Sequence, residues 1–122
     1  MKPKLTVTVA SGTLRIERAG VVLYSGSVLA RAVEDATFLD DVDLVAVLTE
    51  PEPGWRPSSN LVAITPAGDL AWIADLPDSS GGESYVSISR AEDGGLCATS
   101  WSGYRVSIDG RSGAIVRRAF TK

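Results

Sequence analysis

Apolar and polar residues alternate with a period of two along most of the chain. The opening segment KLTVTVA places Leu5, Val7 and Val9 on one side and Lys4, Thr6 and Thr8 on the other, and later segments such as YVSISR and YRVSID repeat the pattern. This alternation is typical of half-buried β-strands. We therefore predict an all-β fold of about ten short antiparallel strands arranged as meanders and hairpins.

The residues between these segments are typical of tight turns. Ser102-Gly103, Gly110 to Gly113 and Asp93 to Gly95 supply residues that tolerate a positive φ angle, as hairpin turns require. Only residues 30–39 could hold a short helix, and Ala36 to Leu39 fits a strand equally well. The sequence thus predicts sheets built from neighbouring strands.

Length and composition indicate one domain, residues 1–122. The hydrophobic content of 44% and the charged content of 22% are ordinary for a globular protein. The strands could form two packed antiparallel sheets, as a sandwich or a partly open barrel-like structure, or a curved open meander that pairs with another copy. We favour the first, because an open edge rich in valine and isoleucine promotes aggregation.

An internal repeat is visible in the turns and the strands that follow them. The segment IERAGVVLY (residues 16–24) aligns without a gap with ITPAGDLAW (residues 64–72). A third copy, IDGRSGAIVR (residues 108–117), needs one inserted residue and has Arg117 where the others have an aromatic residue. Repeats of about 44 to 48 residues made of short strands are typical of β-propeller blades.

The segments NLVAITPAGDLAW and YRVSIDGRSGAIV resemble the blade repeat of quinoprotein-type (PQQ-like) β-propellers. In that repeat a strand ends near an aspartate, a short glycine turn follows, and a tryptophan closes the next strand. Here the turn with Asp109 lacks the tryptophan, and Trp72 follows a turn without the aspartate. The resemblance implies blade-like sheets, and it carries no quinone-binding role to any residue.

The chain lacks the residues that several classes of enzyme require. It contains no histidine, the commonest general base and metal ligand. No nucleophile elbow, Walker A loop or dinucleotide fingerprint is present. The cluster Asp40, Asp41 and Asp43 does not have calcium-loop spacing. We predict a protein that is not an enzyme and has no cofactor or metal.

The charge of the chain is unevenly distributed. Residues 34–83 contain eleven acidic residues and one basic residue, within a net charge of −3 for the whole chain. An acidic middle argues against nucleic-acid binding, which needs clustered Lys and Arg, and favours a basic protein partner. The candidate partner-binding residues are Asp40, Asp41, Asp43, Glu50, Glu52, Trp55, Asp75, Asp78 and Glu83.

The three tryptophans have different expected roles. Trp55 lies in a proline-rich loop and is a candidate anchor for a partner. Trp72 and Trp101 lie within strand patterns and are expected to pack in the core or on a sheet face. The single Cys97 cannot form an internal disulfide, and no apolar run has the length of a signal peptide or membrane span. We expect a cytoplasmic protein without membrane contact.

These observations support three functional hypotheses. The first is a protein-binding module, specifically a small bacterial immunity-like inhibitor of a basic toxin or nuclease. The second is a self-assembling, propeller-like structural domain, which would form a homo-oligomer. The third is a domain that binds a small ligand or a sugar through tryptophan and carboxylate groups.

Overall fold

The computed structural model describes residues 4–51, 59–77, 83–91 and 95–120. These residues form eleven β-strands and no helix. The strands are β1 (Leu5–Ala10), β2 (Thr13–Arg18), β3 (Val21–Gly26), β4 (Val33–Leu39), β5 (Leu44–Thr49), β6 (Leu61–Ile64), β7 (Leu70–Ile73), β8 (Tyr85–Arg90), β9 (Leu96–Ser100), β10 (Tyr104–Ile108) and β11 (Ile115–Phe120). The predicted site residues Glu52, Trp55 and Asp78 lie outside the described residues.

The strands form three antiparallel sheets in chain order. The first sheet has the order β1-β2-β3, the second β4-β5-β6-β7, and the third β11-β10-β9-β8. The predicted all-β fold of short antiparallel strands with blade-like repeats is confirmed. The arrangement differs from the favoured pair of packed sheets, because each meander forms its own sheet and buries its apolar face against the next. Residues 33–39 form a strand, as their Val, Thr and Phe residues favour.

The second sheet lies between the other two and is apolar on both faces. In β5 and β6, Val45, Val47, Val62 and Ile64 pack toward the first sheet, whereas Ala46, Leu48, Leu61 and Ala63 pack toward the third. Because successive side chains of a strand point to opposite faces, a strand buried on both sides is continuously apolar. This explains the run LVAVL in β5.

An aromatic ring of the first sheet and one of the second sheet each contact a glycine in a turn of the following sheet. Tyr24 of β3 lies against Gly68, and Trp72 of β7 lies against Gly113. Both glycines have positive φ angles, +99° and +78°. A Cβ atom on Gly113 would lie 2.6 Å from Cε3 of Trp72, so only glycine leaves room for the ring. The repeat found in the sequence therefore marks the contacts between sheets.

The indole group of Trp72 is also held by a hydrogen bond. Its Nε1–H donates to the carbonyl oxygen of Gly110 at 2.8 Å. This bond satisfies the polar atom of a side chain that is only 6% exposed. The prediction that Trp72 packs in the core is confirmed.

The two ends of the series lack this contact. A Cβ atom on Gly20, the equivalent glycine of the first sheet, would meet nothing within 4 Å. On the third sheet the equivalent of Trp72 is Arg117, which pairs with Ser107 and is exposed. The aromatic residue is thus absent from the sheet that has no following sheet within the described chain.

A buried asparagine joins the second sheet to the third. Asn60 is 1% exposed, and its Nδ2 donates to the carbonyl oxygens of Thr49 and Tyr85 at 2.9 and 2.8 Å. Its Oδ1 accepts the backbone N–H of Tyr85 at 2.8 Å. Such a group is costly to bury unless its partners are supplied, so these bonds fix where β8 begins.

Replacing Gly113 with alanine is expected to destabilise the protein more than replacing Gly20 with alanine. Both substitutions place a side chain at a similar positive φ angle, at a cost of about 1 kcal/mol each. Only Gly113→Ala also forces a methyl group into the Trp72 ring, which adds about 1 to 3 kcal/mol. Urea denaturation measures the difference, and equal losses in the two variants would contradict the proposed ring contact.

Candidate functional site

A groove lies between the turn that joins β4 to β5 and the turn that joins β10 to β11. Its volume is about 270 Å³. Asp41 and Val42 line one side, and Asp109, Gly110 and Arg111 line the other. The remaining lining residues are Gly95, Ile108 and Val116. We call this feature the Asp41 groove.

The charged groups of the Asp41 groove differ in their partners. Among the described residues, the carboxylate of Asp41 has no hydrogen bond or ion pair, and its residue is exposed. The Oδ1 of Asp109 accepts the backbone N–H of Arg111 at 2.8 Å, which stabilises the turn. The groove therefore carries two carboxylates and one guanidinium group beside Val42, Ile108 and Val116.

The carboxylates on either side of Asp41 bind arginines of other sheets. Asp40 pairs with Arg90 of β8, and Asp43 pairs with Arg18 of β2, each at 3.1 Å. Arg90 also donates to the carbonyl oxygen of Phe38 at 2.6 Å. The Asp40–Arg90 pair is exposed and contributes little stability, whereas the Arg18–Asp43 pair is partly buried. Both pairs orient the turn. Of the three clustered aspartates, Asp41 alone keeps its carboxylate unpaired in the described chain.

The other described candidates lie at the opposite end of the sheets. Glu50 follows β5, so it is about 20 Å along the strand from Asp43. Asp75 follows β7 and is exposed, and its carbonyl oxygen accepts the hydroxyl of Tyr85 at the beginning of β8. The acidic middle of the sequence is therefore divided between two ends of the fold.

Glu83 has an internal role. It is 6% exposed, and its Oε1 accepts the backbone N–H of Ser102 at 3.1 Å while its Oε2 accepts the Ser102 hydroxyl at 2.5 Å. These bonds stabilise the turn between β9 and β10. Because both carboxylate oxygens of Glu83 accept internal hydrogen bonds and the residue is buried, Glu83 is a poor candidate for binding a partner.

The expected packing of Trp101 is wrong. Strand β9 ends at Ser100, and Trp101 lies in the following turn with 69% of its surface exposed. Its backbone N–H donates to the carbonyl oxygen of Ser84 at 2.8 Å, which keeps the residue at the sheet end. The strand pattern extends one residue beyond the strand because the turn begins before Gly103.

Sequence reasoning missed Asp109 and Arg111 as site residues. Their signal is the acidic glycine turn of the third repeat copy, which lies opposite Asp41 only after the sheets pack. In the described residues there is no group of three or more His, Cys, Asp or Glu residues able to hold a metal ion. The described part of the chain also has no helix long and apolar enough to cross a membrane.

Burial raises the pKa of the Tyr85 hydroxyl well above its ordinary value of 10. The nearby charges of Asp75 and Glu83 raise it further, and Arg118 opposes them. The hydroxyl thus stays protonated and continues to donate its hydrogen bond to Asp75 under alkaline conditions.

Comparisons with known proteins identify the family and the fold. The chain belongs to the family described as Domain of unknown function (DUF7957), which matches residues 5–120. No curated protein matches the chain.

The solved structures that it resembles include two computationally designed proteins, Ika8 and Ika4, each 13% identical over the whole chain, with TM-scores of 0.64 and 0.65. BamB from Moraxella catarrhalis is 16% identical over 98% of the chain, with a TM-score of 0.59.

These similarities establish a propeller-like fold. BamB is a PQQ-like β-propeller, and the designed neighbours are propeller-like. The chain spans 35% of the Ika8 and BamB chains and 70% of the Ika4 chain. The resemblance to PQQ-like blade repeats seen in the sequence is confirmed at the level of fold.

Tyr85→Phe is expected to reduce the loss of stability at alkaline pH. The raised pKa means that the native state keeps a proton that the unfolded state releases above about pH 10, so the unfolding free energy falls as pH rises further. Phenylalanine removes this linkage, although it also removes a hydrogen bond worth about 1 kcal/mol. The measurement is the unfolding free energy from urea denaturation at several pH values from 9 upward. If this free energy falls equally steeply with pH in the wild-type protein and in Tyr85→Phe, the prediction is wrong.

Proposed function

We propose that the chain is a non-enzymatic protein-binding module, built on a propeller-like scaffold, that binds a basic segment of a partner in the Asp41 groove. The observation that carries the proposal is the unpaired carboxylate of Asp41 opposite Asp109, beside an apolar surface.

A lysine or arginine side chain has the chemistry that this groove would recognise. Its aliphatic stem can pack on Val42 and Val116 while its charged group reaches Asp41 and Asp109. Arg111 would repel a second cation in the same groove and attract an acidic neighbour of the bound residue. The volume of about 270 Å³ lies just below the usual range for small-ligand pockets, which favours a single side chain over a sugar or a larger ligand.

More specifically, we propose that the chain is an immunity-like inhibitor that binds a basic toxin or nuclease in the cytoplasm. The support is charge distribution, since eleven acidic residues and one basic residue lie in residues 34–83. An excess of acidic groups accelerates encounter with a basic protein.

A self-assembling structural domain is the second candidate. The similarity to propeller-like proteins favours it, because the chain spans only 35% of two of them. The open contact position at Gly20 supports it too. The exposed face of the third sheet has Ser89, Arg105 and Arg117, and these polar residues weaken the case for stacking copies as sheets. Molar mass by light scattering tests it, since a monomer at every concentration would exclude a ring.

Asp41→Asn is expected to weaken capture of a basic partner by about threefold to tenfold, with a smaller dependence on salt. Asp69→Asn is the matched control, because Asp69 is an exposed turn residue outside the groove and the change in charge is the same. The measurement is a pull-down with each tagged protein at low and high salt, followed by binding kinetics with the protein recovered. Equal binding by both variants would exclude the Asp41 groove as the site.

A further inference from the structure

The three sheets follow one plan, and the first sheet lacks one strand of it. A glycine with a positive φ angle precedes each of β3, β7 and β11. The residue four places after it is Tyr24 or Trp72, which contacts the next sheet, or Arg117, which has no such contact within the described chain. The strands β3, β7 and β11 are therefore equivalent, and we call them the outer strands. We call β4 and β8, which lie at the opposite edges of their sheets, the inner strands. By the order of pairing, β1 is equivalent to β5 and β9. Among the described strands, the first sheet has no equivalent of the inner strands β4 and β8.

The β-bulges assign β1 to the same position independently. Register shifts interrupt the inner pairs β4–β5 and β8–β9 and the outer pairs β2–β3, β6–β7 and β10–β11. The pairs β1–β2, β5–β6 and β9–β10 have no shift. Thus β1 has the regular geometry of β5 and β9, which are paired on both sides, although within the described part of the chain β1 is paired with β2 alone.

The free edge of β1 lacks the usual protection of an edge strand. Proteins protect such edges with bulges, charged side chains or proline. The sequence of β1, LTVTVA, contains no charge and no proline, and its pairing is regular. In an antiparallel pair, alternate residues direct their backbone N–H and C=O groups away from the partner. Among the described residues no strand pairs with these groups of β1, so they can accept another strand.

The neighbouring contacts fix the direction that an added strand would take. The N–H of Val33 donates to the carbonyl oxygen of Gly12 at 2.9 Å, so the end of β1 lies near the beginning of β4. The pair Arg18–Asp43 brings the beginning of β1 near the end of β4, because Leu5 is opposite Arg18. A strand added antiparallel to β1 would run in the same direction as β4, as the plan of the other sheets requires.

We propose that the free edge of β1 accepts one extended strand of a partner protein as the fourth strand of the first sheet. The added strand would alternate apolar and polar residues, because Leu5 and the half-buried Val7 and Val9 lie on the core face and Thr6 and Thr8 are exposed on the other. The other sheets end at their inner strand, so the position takes a single strand and not a second sheet. This goes beyond the proposed function, because it uses the backbone of another surface.

The test is an NMR titration of the isotopically labelled full chain with a synthetic peptide of the β4 sequence, VEDATFL. The control is the same peptide with alternate backbone nitrogens methylated, which cannot pair with a strand edge. We expect amide shift changes confined to residues 5–10 and their neighbours in the first sheet, and amide exchange slowed by about tenfold in β1 at millimolar peptide. The methylated peptide should produce neither effect.

A covalent version keeps the test decisive if the peptide binds too weakly. In this version a second copy of residues 33–43, which contains the β4 sequence and the turn after it, is joined directly before Lys4. The link places the added strand beside β1 at a millimolar effective concentration. We expect a higher urea midpoint than for an extension with prolines at alternate positions. If neither the peptide nor the extension protects β1, the proposal is wrong. Protection of β1 in the chain alone, with a dimer in light scattering, would instead assign the edge to a second copy.

Discussion

The contact between an aromatic ring of one sheet and a turn glycine of the next is the constraint on which the rest of the structure depends. Because Gly68 and Gly113 have no side chain, Tyr24 and Trp72 approach the neighbouring sheet closely enough to close the apolar layers. A hydrogen bond of Trp72 also links this contact to the candidate site. Gly110, whose carbonyl oxygen accepts the Trp72 indole N–H, also lines the Asp41 groove, so the core contact holds Asp109 and Arg111 opposite Asp41.

Local features of the fold could be predicted from the sequence, whereas contacts between sheets could not. Period-two alternation located the strands, and the repeat located the glycine turns, because both depend on neighbouring residues. The grouping into three sheets depends on which face each strand buries against residues about 40 positions away. For the same reason the sequence did not predict the buried bonds of Asn60. The exposure of Trp101 was missed for a local reason, because the strand ends one residue before the alternating pattern does.

The candidate site shows the same division. The sequence identified an acidic cluster, but its composition could not show that Arg18 and Arg90 come from two other sheets to pair with Asp43 and Asp40. Of the three clustered aspartates, Asp41 alone keeps an unpaired carboxylate among the described residues, and it lies in the groove. The edge of β1 is a different surface, in which backbone groups and not charges would provide the binding. A propeller-like fold serves many functions, so these two sites, and not the fold, carry the functional argument.

A double-mutant cycle between Trp72 and Gly113 tests the central claim most directly. The free energy of unfolding is measured for the wild-type protein, Trp72→Ala, Gly113→Ala and the double variant. If the ring occupies the space beside Gly113, alanine at that position will cost about 1 to 3 kcal/mol less when Trp72 is absent, leaving about 1 kcal/mol from the positive φ angle. An equal cost of Gly113→Ala in both backgrounds would show that the ring does not hold the sheets together in this way.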